Sequence, residues 1–171
     1  MSIAPTFQQY LTAENIKYDL ISHEPTMSST QTAEACRISE DCLAKGVVLR
    51  RDRDRNRGYL LAVLPASHHV RLSDLRDEFG ENVEMAEEAE VDRLFWDCAH
   101  GAVPPVGRCY GLPVVVDDWI DAQPEIYMEA GDHRTLLHVG HAQFAHMTAG
   151  ARHSRFSERL PENEMKAVVW G

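Results

Sequence analysis

Lys45 interrupts an apolar run, Ala44-Lys45-Gly46-Val47-Val48-Leu49. An ammonium there has two physical outlets. It reaches water from a strand end along its aliphatic stem, or it stands as a fixed cation on the floor of a cleft, beside a substrate phosphate or carbonyl. A second candidate is Gly101-Ala102-Val103-Pro104-Pro105-Val106-Gly107. Glycines let backbone approach a ligand closely, and prolines hold N–H groups rigidly enough for an oxyanion site, although the same composition also makes an ordinary turn. The third is Glu129-Ala130-Gly131-Asp132-His133-Arg134, a strand end entering a turn. His133 is either a surface turn residue or a group that orients water or substrate.

Other reactive side chains fit weaker patterns. His138, His141 and His146 follow His133, but their spacing matches no helical HExxH pair, so zinc is the less favoured reading. Cys36, Cys42, Cys98 and Cys109 form no CxxC pair and read as small apolar residues or free thiols of a reducing compartment. Five arginines at 50, 51, 53, 55 and 57 alternate with Asp52 and Asp54. They are a solvated hairpin tip that resists edge pairing, or the phosphate contacts of the chain's one basic island.

The elements that must position these groups are legible from periodicity and turn chemistry. Residues 44–49 and 59–64 predict two strands of a hairpin, both nearly continuous in apolar residues and therefore expected inside a covered sheet. Upstream, residues 5–16 predict a helix with Phe7 and Leu11 on one side, residues 18–21 a strand, and residues 28–35 a hydroxyl-rich helix start. Downstream, helices are expected from Ser73 to Gly80 and over 87–96. Strands are expected over 112–116, 126–130 and 135–139, before a helix containing Phe144 and Met147. Mixed strands and helices with hairpins, without regular βαβ alternation, argue an α/β or α+β fold with a mixed sheet. Residues 1–150 form the expected domain and 151–171 a polar C-terminal tail ending in Ala167-Val168-Val169-Trp170.

Bulk properties narrow the partners. A chain of 171 residues suits a single domain. Seventeen basic against 27 acidic residues give a charge of −10, which argues against DNA or any long nucleic-acid backbone clamped by charge and leaves contact with a short end. No apolar run approaches the roughly 20 residues of a membrane helix. With no signal-like N-terminus, the expected location is cytoplasmic, away from any membrane.

Taken in order, the lysine strand at 44–49, the loop at 101–107 and Tyr127-Met128-Glu129-Ala130-Gly131-Asp132-His133 resemble the YbaK-like aminoacyl-tRNA deacylases, relatives of the editing domain of bacterial prolyl-tRNA synthetase. The resemblance covers residues 5–150. It implies a mixed, barrel-like sheet surrounded by helices. The implied reaction hydrolyses the ester joining a wrong amino acid to the 3′-terminal adenosine of a tRNA, in trans, in the service of translation fidelity and without a cofactor. Lys45 matches the family's signature lysine, and Gly101 with Pro104 match its Gly-xxx-Pro loop. Ala102, Val103, Thr30 and Gly131 are carried over as further substrate-binding positions, with His133 beside Lys45 as the second catalytic candidate. The implied partners are the acceptor end of a mischarged tRNA and a synthetase. Pro105 and Val106 replace a Phe common in the family, and Glu129 stands where one branch has a small hydroxyl residue. Two other readings stay open: a non-catalytic module of the same fold that binds an aminoacyl group or tRNA end while docked on a synthetase, and a metal-dependent hydrolase using the histidines of 133–146.

Overall fold

The computed structural model describes residues 2–26, 28–51 and 58–161. Arg53, Arg55, Arg57 and the apolar end 167–170 lie outside the described residues. In chain order the elements are α1 (Pro5–Ala13), β1 (Asp19–Ser22), α2 (Ser29–Cys36), β2 (Leu43–Arg51), β3 (Tyr59–Pro65), β4 (His68–Val70), α3 (Leu72–Phe79) and β5 (Val83–Met85). There follow α4 (Glu88–Leu94), β6 (Val114–Asp117), α5 (Asp118–Asp121), β7 (Glu125–Glu129), β8 (Thr135–Gly140), α6 (His141–Met147), β9 (Arg152–Ser154) and β10 (Ser157–Arg159).

The main sheet runs β1-β8-β7-β2-β3-β6-β9, with β5 also on β2; β4 and β10 form a separate pair. It is mixed. β2 is antiparallel to β3 over seven residue pairs but parallel to β7, and β6 is parallel to both β3 and β9. Both faces are covered. Ala44 and Val48 of β2 join Phe7, Leu11, Phe95, Val103 and Phe144 in the largest core cluster. Leu43 faces Ala33 of α2, whereas Val47 and Leu49 pack with Leu75 of α3 and with Phe156. Burial on both sides is why the β2 and β3 sequences read as unbroken apolar runs.

Local chemistry sets the helix ends. The Ser28 side chain accepts the Gln31 N–H at 3.2 Å and caps α2, the hydroxyl-rich segment. For α3 the expected cap, Ser73, lies inside the helix; Arg71 occupies that place without a side-chain capping bond, and Gly80 ends the helix in the left-handed conformation. Residues 151–160 pack onto the domain. β9 extends the sheet, Phe156 is fully buried, and the Phe156 N–H donates to Asp117 Oδ2 at 3.0 Å. The folded unit therefore runs past residue 150 to at least Leu160, whose N–H donates to the Ser67 carbonyl. Composition misled because single buried residues such as Phe156 anchor short, otherwise polar edge strands.

Candidate active site

β2 carries Lys45 to the point where the sheet divides. β7 accompanies β2 only through Leu43–Tyr127 and Ala44–Met128, and β5 takes over from Leu49. Alternation puts Lys45 on the α2 side with Leu43 and Val47, while Ala44, Gly46 and Val48 face the larger core. Lys45 is half-buried, and among the described residues its ammonium makes no hydrogen bond or ion pair. Burial pulls its pKa down to about 8, opposed by the charge of Glu40.

Glu40 is the residue that sequence reasoning missed. It opens the short 3-10 turn Glu40–Cys42 that leads into β2, capped by Ser39. The Thr30 hydroxyl donates to its carboxylate, while Oε2 is buried without a partner. Burial pushes the Glu40 carboxyl up, and Asp41 and Glu34 add to this; Lys45 and Thr30 pull it down. The available signal was an acidic residue just ahead of a strand bearing an isolated lysine. His68, also buried, feels Lys45 as well. Burial, then Arg159 and Lys45, push its pKa down, which favours the neutral ring.

A second half of the site is built around Glu129, which is fully buried at the end of β7. Its Oε1 accepts the N–H groups of Gly131, Asp132 and His133 at 3.1, 3.2 and 3.0 Å. Oε2 is left without a partner. Burial raises the carboxyl pKa, and the backbone bonds lower it in part. This side chain fixes the turn, including His133 in the left-handed conformation at φ 62°. The His133 ring then reaches the His100 carbonyl at 2.6 Å, so its Nε2 carries the proton and donates. Ala99 donates to the Gly131 carbonyl at 2.9 Å. At Gly131 itself, φ is 121° and a Cβ would lie 2.9 Å from that of Ala4, so only glycine fits.

From Gly101 the chain returns to β2. Residues 102–107 are all buried, and Pro105 is the residue that meets Gly46. Three residues separate Gly101 from Pro105, so the Gly-xxx-Pro spacing ends on Pro105 and the match assigned to Pro104 shifts by one position. Among the described residues, the backbone N–H groups of Gly101, Val103 and Val106 have no acceptor.

The fold thus brings Gly101, Gly131 and His133 into one clasp and Thr30 and Lys45 together around Glu40. The β2–β7 ladder and the Pro105–Gly46 contact link the two groups through the backbone of β2, with Gly46 and Lys45 on opposite faces of that strand. The basic island is placed elsewhere. Arg50 pairs with Glu84 at 2.9 Å and Glu90 at 3.4 Å, and Arg51 with Glu81, at the opposite end of β2. Six residues of strand separate Arg51 from Lys45, roughly 20 Å. The two described arginines are internal ion-pair partners and not phosphate contacts at this site. His138, His141 and His146 have separate partners in Glu125, Asp121 and Glu14. Among the described residues no three His, Cys, Asp or Glu side chains are grouped to hold a metal, and all four cysteines are free.

Residues 23–146 match the family model for the aminoacyl-tRNA editing domain. The chain belongs to that family. The match spans Lys45, the 101–107 loop and the Glu129 turn together. Among solved structures, the editing-domain chain is similar to the hypothetical protein APE2540 at 22% identity and TM-score 0.77, covering 90% of this chain and 99% of that one. A protein described as a candidate trans-editing enzyme for prolyl-tRNA synthetase matches at 22% identity and TM-score 0.76, over 92% of this chain and 99% of that one. A longer chain from Marinobacter aquaeolei VT8, described as a candidate signal transduction protein, matches at 21% identity and TM-score 0.71, over 91% of this chain and 31% of its own. These likenesses show the shared fold. No relative matches among the curated proteins.

Proposed function

We propose that this editing-domain protein is a trans-acting deacylase that hydrolyses the ester between a mismatched amino acid and the 3′-terminal adenosine of a tRNA. The observation that carries this reading is Lys45, a half-buried cation without an ion-pair partner among the described residues. Holding a charge in that state costs free energy, which an anionic or polarised substrate group would recover.

With a pKa near 8, Lys45 is about nine-tenths protonated at pH 7. It therefore acts as a cation, holding the terminal phosphate or drawing electron density from the ester carbonyl. Water adds to the carbonyl carbon, and negative charge develops on the carbonyl oxygen. The unpaired N–H groups of Gly101, Val103 and Val106 are suited to receive it. Collapse breaks the bond to the ribose oxygen, which takes one proton of the water, and the amino acid departs as its carboxylate with the other proton released to solvent. An aminoacyl ester is already activated, so positioning supplies most of what is needed. His133 acts through the loop: its bond to the His100 carbonyl holds the clasp next to Gly101.

The test is release of amino acid from a panel of mischarged tRNAs by the parent protein and by Lys45→Ala. Hydrolysis of at least one substrate, abolished in the variant, supports the reading. A protein that binds the tRNA end but releases no amino acid from any substrate is instead a binding module, docked on a synthetase or acting alone.

A further inference from the structure

Away from Lys45, a cavity of about 450 Å³ opens beside β3 and β6. Its floor includes Leu60, Leu112, Val114 and Met147, and Arg108 and Arg152 stand on its walls. Leu60 pairs with Leu49, four residues along β2 from Lys45, so this is a different site from the proposed ester site. The volume lies within the range of about 300–1,000 Å³ that small-ligand pockets occupy.

Its charge is exceptional for a chain of net charge −10. Two guanidinium groups lie over the Phe79 ring, Arg51 5.4 Å and Arg152 4.9 Å from its centroid. Glu81 neutralises Arg51. Arg152 has no carboxylate partner among the described residues, and it is exposed. Arg108 gives one nitrogen to the Ala149 carbonyl and keeps the remaining donors of its fork. An apolar lining beside two fork-shaped cations that have no carboxylate partner among the described residues complements an anionic head on an apolar body.

We infer that this cavity binds a small organic anion, a phosphate, sulfonate or carboxylate group joined to an apolar body. The body covers Leu60, Val114 and Met147, and the head takes the guanidinium of Arg152, with Arg108 on the adjoining wall. This inference is independent of the proposed deacylation.

The probe is 8-anilinonaphthalene-1-sulfonate, followed by its fluorescence, with N-phenyl-1-naphthylamine as the uncharged counterpart. The sulfonate is expected to bind one per chain. Arg152→Ser is expected to weaken it at least about tenfold, the usual worth of one charge-assisted hydrogen bond. Ala151→Phe, which fills the cavity, is expected to abolish binding. Arg152 is exposed on an edge strand, so its removal leaves the fold intact by circular dichroism and serves as the decisive variant if the Phe variant does not fold. Unchanged affinity in Arg152→Ser, or equal affinity for the uncharged amine, overturns the inference and identifies mere apolar surface.

Discussion

Pro105 rests on Gly46. A Cβ at position 46 would come within 3.2 Å of Pro105 Cα and 3.0 Å of a Leu61 methyl. The contact with Pro105 is to backbone, so no rotamer change relieves it. Gly46→Val is expected to cost about 1–3 kcal/mol of stability, the usual range for overpacking. It should also displace the 101–107 loop and lower deacylation beyond what the remaining folded fraction explains. Urea unfolding and single-turnover hydrolysis on the same preparation measure both effects.

Burial of the Lys45 ammonium costs stability. Its pKa falls from 10.5 to about 8, so burying the protonated form costs on the order of 3 kcal/mol. Lys45→Met should therefore be inactive yet more stable at pH 7. Between pH 8 and 10.5 the unfolded chain holds the proton that the folded chain has released, so parental stability rises with pH through that window and the gap closes. Unfolding both proteins at pH 7 and pH 9.5 checks this; a gap that is constant with pH contradicts the buried cation.

Glu129 holds three N–H groups through one oxygen. Glu129→Ala leaves those donors without their acceptor and is expected to cost about 2–4 kcal/mol. Glu129→Gln keeps an acceptor oxygen and should cost less. Hydrogen exchange at Gly131, Asp132 and His133 should accelerate in the alanine variant, while exchange in β3 tracks global stability only.

Under the proposed reading, His133 is a positioning residue. Removing its bond to the His100 carbonyl in His133→Ala should cost about 1 kcal/mol of stability and lower kcat about tenfold by loosening the loop. The pH profile of kcat should keep its shape. Disappearance of a limb in the histidine range would make the imidazole an acid or base and reverse this assignment.

The ion pairs of Arg51 predict a null result for recognition. Arg51→Ser removes one guanidinium from Glu81 and should destabilise the fold, because the Glu81 carboxyl side chain is only 1% exposed. The slope of log tRNA affinity against log salt should stay unchanged, since each phosphate neutralised on a single strand adds about 0.7 to it. A flattened slope at constant fold would return this end of β2 to the RNA-binding surface.

Periodicity and turn residues by themselves determined the β2–β3 hairpin, the Ser28-capped helix and the β7–β8 pair. Each depends on neighbours close in sequence: alternating faces, a hydroxyl beside free N–H groups, a Gly-Asp turn. The order of Lys45, the Gly/Pro loop and the Glu129 turn also carried the family resemblance, which the family match bears out. Only tertiary structure decided what those residues touch. Glu40 became part of the site because α2 brings Thr30 over the turn before β2. His133 became a clasp because Glu129 curls back on its own turn and aims the ring at residue 100. Arg50 and Arg51, read from sequence as part of a solvated tip or as phosphate contacts, are ion-pair partners because β5 and α4 present Glu84 and Glu90 to Arg50, and the turn after α3 presents Glu81 to Arg51. Charge in a sequence carries a sign but no partner, and the partner is set by contacts that span dozens of residues.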